Sequence, residues 1–153
     1  MRAFGRALAF AVGFSLIDLG VYAALYAVIG ATLGGLGLVA AVQDGALMAF
    51  GRVLYLQWPL QFLFLVLIRF RNWHTNILVV ALASLVAFAV TIPLFFGVRT
   101  LGDFVRFFEV STISDDPGPG VVVLASTLIA WVLVFAFAPV RTTERPSDFP
   151  TFR

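Results

Sequence analysis

Asp18 stands near the middle of Ala7–Gly30, a run with no other charged residue. A carboxylate at that depth in hydrocarbon costs about 3 kcal/mol or more unless it is paired, protonated or hydrated, so a functional role is the starting hypothesis. Ser15, Asp18, Tyr22 and Tyr26 fall on one stripe of a helix, the stripe expected to face other helices. Arg52 is the natural counter-ion. With Arg6 and Arg69 marking one membrane surface, helical rise sets Asp18 roughly 18 Å and Arg52 roughly 25 Å above it. A guanidinium reaching down would close that gap of about 7 Å; one reaching up would meet headgroups instead. Gln57 and Gln61 are one turn apart and flank Pro59, and Ser84 and Thr91 form a weaker stripe further on. Amides and hydroxyls in lipid seek partners on neighbouring helices. Two readings stay open for Asp18, Tyr22, Arg52, Gln57 and Gln61: a polar path through the bilayer, or a set of structural fasteners.

Other chemistries find no residues to carry them. The chain has no cysteine, which removes disulfides, thiolate metal sites and cysteine nucleophiles, and its one histidine, His74, cannot by itself hold haem or a metal. There is no nucleophile–base–acid set, no phosphate-binding glycine loop followed by lysine, and no paired carboxylates inside an apolar run. The expectation is a non-enzymatic protein with no catalytic residues, no metal site and no cofactor. All ten basic residues are arginine and they do not cluster, so the pI near 9.7 gives no reason to expect nucleic acid.

The elements that would position the polar residues follow from hydropathy. Hydrophobic residues make up 61% of the 153 and charged ones 12%, about half the charged share of a soluble domain. Four apolar stretches, 7–30, 45–68, 77–98 and 121–140, approach the twenty or so residues that cross a bilayer as a helix. The expected fold is an all-α integral membrane protein, a four-transmembrane-helix bundle. A second register for the first span, Leu19–Gln43, would move Asp18 to the interface. It includes Gly30, Gly34, Gly35 and Gly37, which suit a turn better than a helix interior. In the favoured register, Ala31–Val42 is a glycine-rich connector and Pro59 bends the second span. Asn76 caps the third.

Leu101, Phe104, Val105 and Phe108 recur at i, i+3, i+4 and i+7, which predicts a short amphipathic helix lying at the interface within the third loop. Residues 141–153 read as a polar tail. Phe104 and Phe108 on the loop, with Phe149 and Phe152 on the tail, are the candidate contacts to partner proteins.

Arginine counts orient the bundle. Arg2, Arg6, Arg69, Arg71, Arg141, Arg145 and Arg153 share one side of an even-span topology, against Arg52, Arg99 and Arg106 on the other. The positive-inside rule then puts both termini in the cytoplasm of a multi-pass protein in a bacterial-type inner membrane. Arg2 and Arg6 before an apolar run imitate a secretory signal, but Asp18 interrupts the run and no small-x-small cleavage site follows. A retained first span is expected.

The segment Ser15-Leu16-Ile17-Asp18-Leu19-Gly20-Val21-Tyr22 resembles the first span of the GtrA-like family, small four-span proteins associated with moving polyprenyl-linked sugars across membranes. The arginine- and asparagine-rich end of that family's second span is matched only loosely by Gln61–Trp73. The resemblance implies a transporter or flippase component. Composition supports another expectation first: an accessory or scaffold subunit of a larger membrane complex, such as an energy-transducing one, whose partners are the lipid bilayer and other membrane subunits.

Overall fold

In the computed structural model, residues 2–96 and 118–136 are described, with the single positions Thr100, Gly102 and Val105 between them. Helix α1 spans Arg2–Thr32, with Asp18 at its middle. The glycine cluster then turns the chain. Gly35 takes φ +63°, a conformation that side chains with a Cβ rarely adopt, and Leu36 donates its backbone N–H to the Gly30 carbonyl at 2.9 Å. A continuous helix over Leu19–Gln43 does not form.

Helix α2 covers Leu38–Leu54 and α3 covers Gln57–Phe70. They meet at 67° across Tyr55-Leu56. Leu56 is in the left-handed conformation at φ 60°, where glycine usually ends a helix, and its N–H reaches the Val53 carbonyl at 3.3 Å. Pro59 is the third residue of α3. A helix's first turn offers no intrahelical acceptor for its N–H groups, so the missing donor costs little there. The proline therefore marks a new helix start and not a kink inside a continuous span. Helix α3 ends in a paired cap. Trp73 N–H donates to the Ile68 carbonyl and Asn72 N–H to that of Arg69, with Asn72 left-handed at φ 57°.

Helix α4 runs Ile77–Phe96, its start capped by Asn76, whose Oδ1 accepts from Leu78 N–H at 3.0 Å. Helix α5 runs Pro119–Ala136, with proline at its first position.

The expected four-transmembrane-helix bundle is thereby corrected. The protein is an all-α bundle of five helices among the described residues. Two of them, α1 over Ala3–Thr32 and α5, are long and apolar enough to cross a membrane, and a third crossing exists only if bent α2–α3 is counted as one. The expected second span fails because its sequence is split between two helices. On α4 the described apolar stretch, Ile77–Thr91, is short of a full crossing. The apolar character of these helices fits membrane association. The expected interfacial helix with Phe104 and Phe108, and the tail with Phe149 and Phe152, lie outside the described residues.

Helix α1 is the hub, packing on α2, α3 and α5, while α4 closes the bundle against α3 and α5. Contact pairs set the directions. Phe4 meets Phe70 and Phe10 meets His74 near the start of α1, while Gly30 lies beside Ala41 near its end. Two apolar clusters sandwich a polar layer along α1. One joins Ala11 and Phe14 to Leu65, Ile68, Val80 and Ala130. The other joins Tyr22 to Ala49, Phe88, Val122 and Val123.

Candidate functional site

Every helix supplies a polar side chain to the layer between those clusters. Asp18, fully buried, has four donors within hydrogen-bond distance; the Ser126 and Thr127 hydroxyls, with one proton each, share theirs with the Val123 carbonyl at 3.0 Å. Oδ2 takes Arg52 Nη2 at 2.9 Å and Gln61 Nε2 at 3.1 Å; Oδ1 takes Ser126 Oγ at 2.8 Å and Thr127 Oγ1 at 3.3 Å. Four donors from α2, α3 and α5 fill the usual acceptor capacity of an ionised carboxylate. Ser84 on α4 joins through its hydroxyl, 2.7 Å from Thr127 Oγ1. With Ser84 as donor, the Thr127 proton is left for Asp18 at 3.3 Å or for the Val123 carbonyl at 3.0 Å.

Arg52 is 5% exposed and sits in the last turn of α2, where its positive charge also suits the helix C-terminus. Its Nε donates to Gln57 Oε1, and Nη2 donates to both Asp18 and Gln61 Oε1, the latter at 2.7 Å. Gln57 Nε2 closes the loop by donating to Gln61 Oε1 at 3.1 Å. The guanidinium lies over the Tyr22 ring, 4.5 Å from its centre, a cation–π contact strengthened by burial. The fork of one arginine thus bridges the break between α2 and α3 and fixes both to α1. Arg52 Nη1 and Ser15 Oγ are buried with no hydrogen-bond partner among the described residues.

All five residues of the expected polar site, Asp18, Tyr22, Arg52, Gln57 and Gln61, come together here. Thr91 does not join them; its hydroxyl bonds back to the Ala87 and Phe88 carbonyls of its own helix. Ser126 and Thr127 were not anticipated. The available signal was an adjacent Ser-Thr pair at the centre of an otherwise apolar helix.

A second polar cluster caps the bundle at the α3–α4 turn. Arg69 Nη1 donates to Asn72 Oδ1 at 3.2 Å and meets His74 Nδ1 at 3.3 Å, so Nδ1 accepts and Nε2 carries the ring proton. Burial, and then the nearby Arg69 charge, hold the His74 pKa below the ordinary histidine range. Its ring is flanked by Phe10 and Phe135, and Trp131 Nε1 donates to its backbone carbonyl.

The described residues contain no cluster of three or more metal-ligating side chains. The Asp18–Arg52 layer can hold charge and polar groups in an apolar surrounding. No protein-family profile, curated protein or solved structure matches this chain.

Proposed function

We propose that this chain is a non-enzymatic membrane transport component that passes the polar part of an amphiphile across the bilayer. The Asp18–Arg52 layer is its working centre. The observation that carries this reading is the coincidence of a buried ion pair with a helix interruption. Arg52 lies in the last turn of α2 and Gln57 begins α3; Arg52 and Gln61 reach the carboxylate at the middle of α1, and Gln57 holds Arg52 in place. Discontinuous helices that place charged and amide groups at mid-bilayer are a recurring way to build a solute site in transporters, and an ionisable group there is functional by default. The polyprenyl-linked substrate is suggested only by the eight-residue likeness of Ser15–Tyr22 to GtrA-like proteins, a likeness that no family profile extends.

The test is a leaflet assay. A fluorescent polyprenyl phosphate in proteoliposomes should become accessible to dithionite faster with this protein than in empty vesicles. Equal rates would remove the reading. In the proposed orientation the Arg69–His74 turn faces the cytoplasm, as positive-inside bias favours. A cysteine at Thr75 should then resist an impermeant reagent added outside cells, and ready labelling would reverse the orientation.

One observation favours a second reading, an accessory subunit of a larger membrane complex. Leu38, Val39 and Leu47 on α2 are 77%, 71% and 69% exposed, a face that a neighbouring subunit could cover as well as lipid. The native mass of the solubilised protein separates the two: stable co-purifying subunits support the accessory role.

A further inference from the structure

An open groove of about 450 Å³ runs between α1 and α5, lined by Ala9, Phe10, Gly13, Ile17, Leu133 and Val134. Ala9, Gly13 and Ile17 repeat every four residues, so the groove runs along the axis of α1 for about 12 Å, or two turns. Gly13 leaves it open: a Cβ built there meets no atom within 4 Å. Both walls lead toward the polar turn. Phe10 carries the Arg69 guanidinium over its ring, 5.9 Å from the centre, and meets the His74 ring at 5.2 Å. On the other wall, Phe135 follows Val134 and stacks on the His74 ring, 6.1 Å between centres.

Arg69 at that end has its charge unbalanced by any described carboxylate. Its two hydrogen-bond partners, Asn72 and His74, are neutral acceptors, and both contacts use Nη1. The Asp18–Arg52 ion pair is internal to the bundle and cannot compensate it. Arg71 adds a second cation on the same turn, its guanidinium 5.3 Å from the centre of the exposed Trp73 ring. An apolar trough that ends beside arginines is complementary to a molecule with a hydrocarbon chain and an anionic head.

We infer that this groove is a binding site for an anionic glycerophospholipid of the surrounding bilayer. One acyl chain lies along Ala9–Gly13–Ile17 and the headgroup phosphate is held by Arg69. The site is separate from the Asp18 layer and does not depend on a transport role. The phosphate oxygens accept from the guanidinium in the charge-assisted geometry that arginine favours. The chain covers apolar surface that the helices leave unpacked.

Native mass spectrometry of the full-length protein tests this. Dioleoylphosphatidylglycerol and dioleoylphosphatidylcholine, which share their acyl chains, are added at equal concentration. The wild type should retain the anionic lipid about fivefold more than the zwitterionic one, the factor that one basic residue contributes near an anionic membrane surface. Arg69→Gln should lower that ratio severalfold while chain-dependent retention persists, Arg71 leaving a residual preference. Gly13→Leu, whose Cβ meets no atom within 4 Å and whose branch extends into the groove, should reduce retention of both lipids. Should Gly13→Leu fail to fold, Arg69→Gln alone decides the headgroup assignment. Equal retention of the two lipids by the wild type, or an unchanged ratio in Arg69→Gln, overturns the proposal.

Discussion

A buried carboxylate holding four donors is sensitive to each of them in proportion to its bond. Ser126 makes the shorter contact to Asp18 Oδ1, at 2.8 Å, while Ser84 reaches the carboxylate only through Thr127. Hydrogen bonds to a charged group contribute about 1.5–3 kcal/mol, neutral ones about 1 kcal/mol. Ser126→Ala is therefore expected to lower the unfolding free energy in detergent by about 2 kcal/mol, and Ser84→Ala by about half as much. Equal losses would mean that Asp18 does not draw on Ser126 as an ionised acceptor. The stripe through Asp18 and the pairing with Arg52 were legible in the sequence, because charge in an apolar run has few places to go. The distance was not. Rise along a continuous helix put the two about 7 Å apart in height. The chain ends α2 two residues after Arg52 and brings Nη2 to 2.9 Å from Asp18. Ser126 and Thr127 carry no comparable signal, because hydroxyls inside apolar helices commonly bond back to their own carbonyls, as Thr91 does and as these two also do to Val123.

Close packing of α2 on α1 determines where Arg52 can reach. A Cβ at Gly45 would collide with the Ala23 backbone carbonyl oxygen, which cannot move without shifting α1. Gly45→Ala gains about 1 kcal/mol in helix propensity, but overpacking against a rigid neighbour costs about 1–3 kcal/mol. Net destabilisation should follow, with Arg52 drawn away from Asp18. Thermal unfolding in detergent checks the sign, and a stabilised variant would show that the helices are less closely packed. The asymmetry between the two halves of the expected second span has a physical cause. Asp44-Gly45 has turn composition, yet both residues lie inside α2, because Gly45 serves as a contact surface there. The true turn is the Gly34–Gly37 cluster, and the helix beginning at Leu38 absorbs what reads as a connector. Pro59 does report a change in direction, but from inside the first turn of α3, where its ring is tolerated. The interruption itself depends on Leu56 in a left-handed conformation, which no local sequence preference signals.

Across the whole molecule, hydropathy conveyed helical content and apolar character but overstated the number of crossings. It averages along the chain and is blind to a 67° bend between Leu54 and Gln57. The same bend is what lets one arginine on α2 contact both α1 and α3. A continuous helix would carry Arg52 and Gln57 in opposite directions around its surface, since five residues turn it by about 500°. The architecture thus concentrates the charged layer at a discontinuity, enclosed by apolar clusters on both sides, with the arginine-rich turn at one end of the bundle.

The most direct test of this centre is the lipid-translocation rate of Arg52→Lys in proteoliposomes, measured beside its thermal stability. Lysine keeps the positive charge near Asp18 but cannot reproduce the fork that joins Gln57, Gln61 and Asp18. If the bridged break is the working element, translocation of the labelled polyprenyl phosphate should fall by about tenfold, the loss of roughly one charge-assisted hydrogen bond, while the helical bundle remains folded. Wild-type translocation by a folded Arg52→Lys protein would contradict the account.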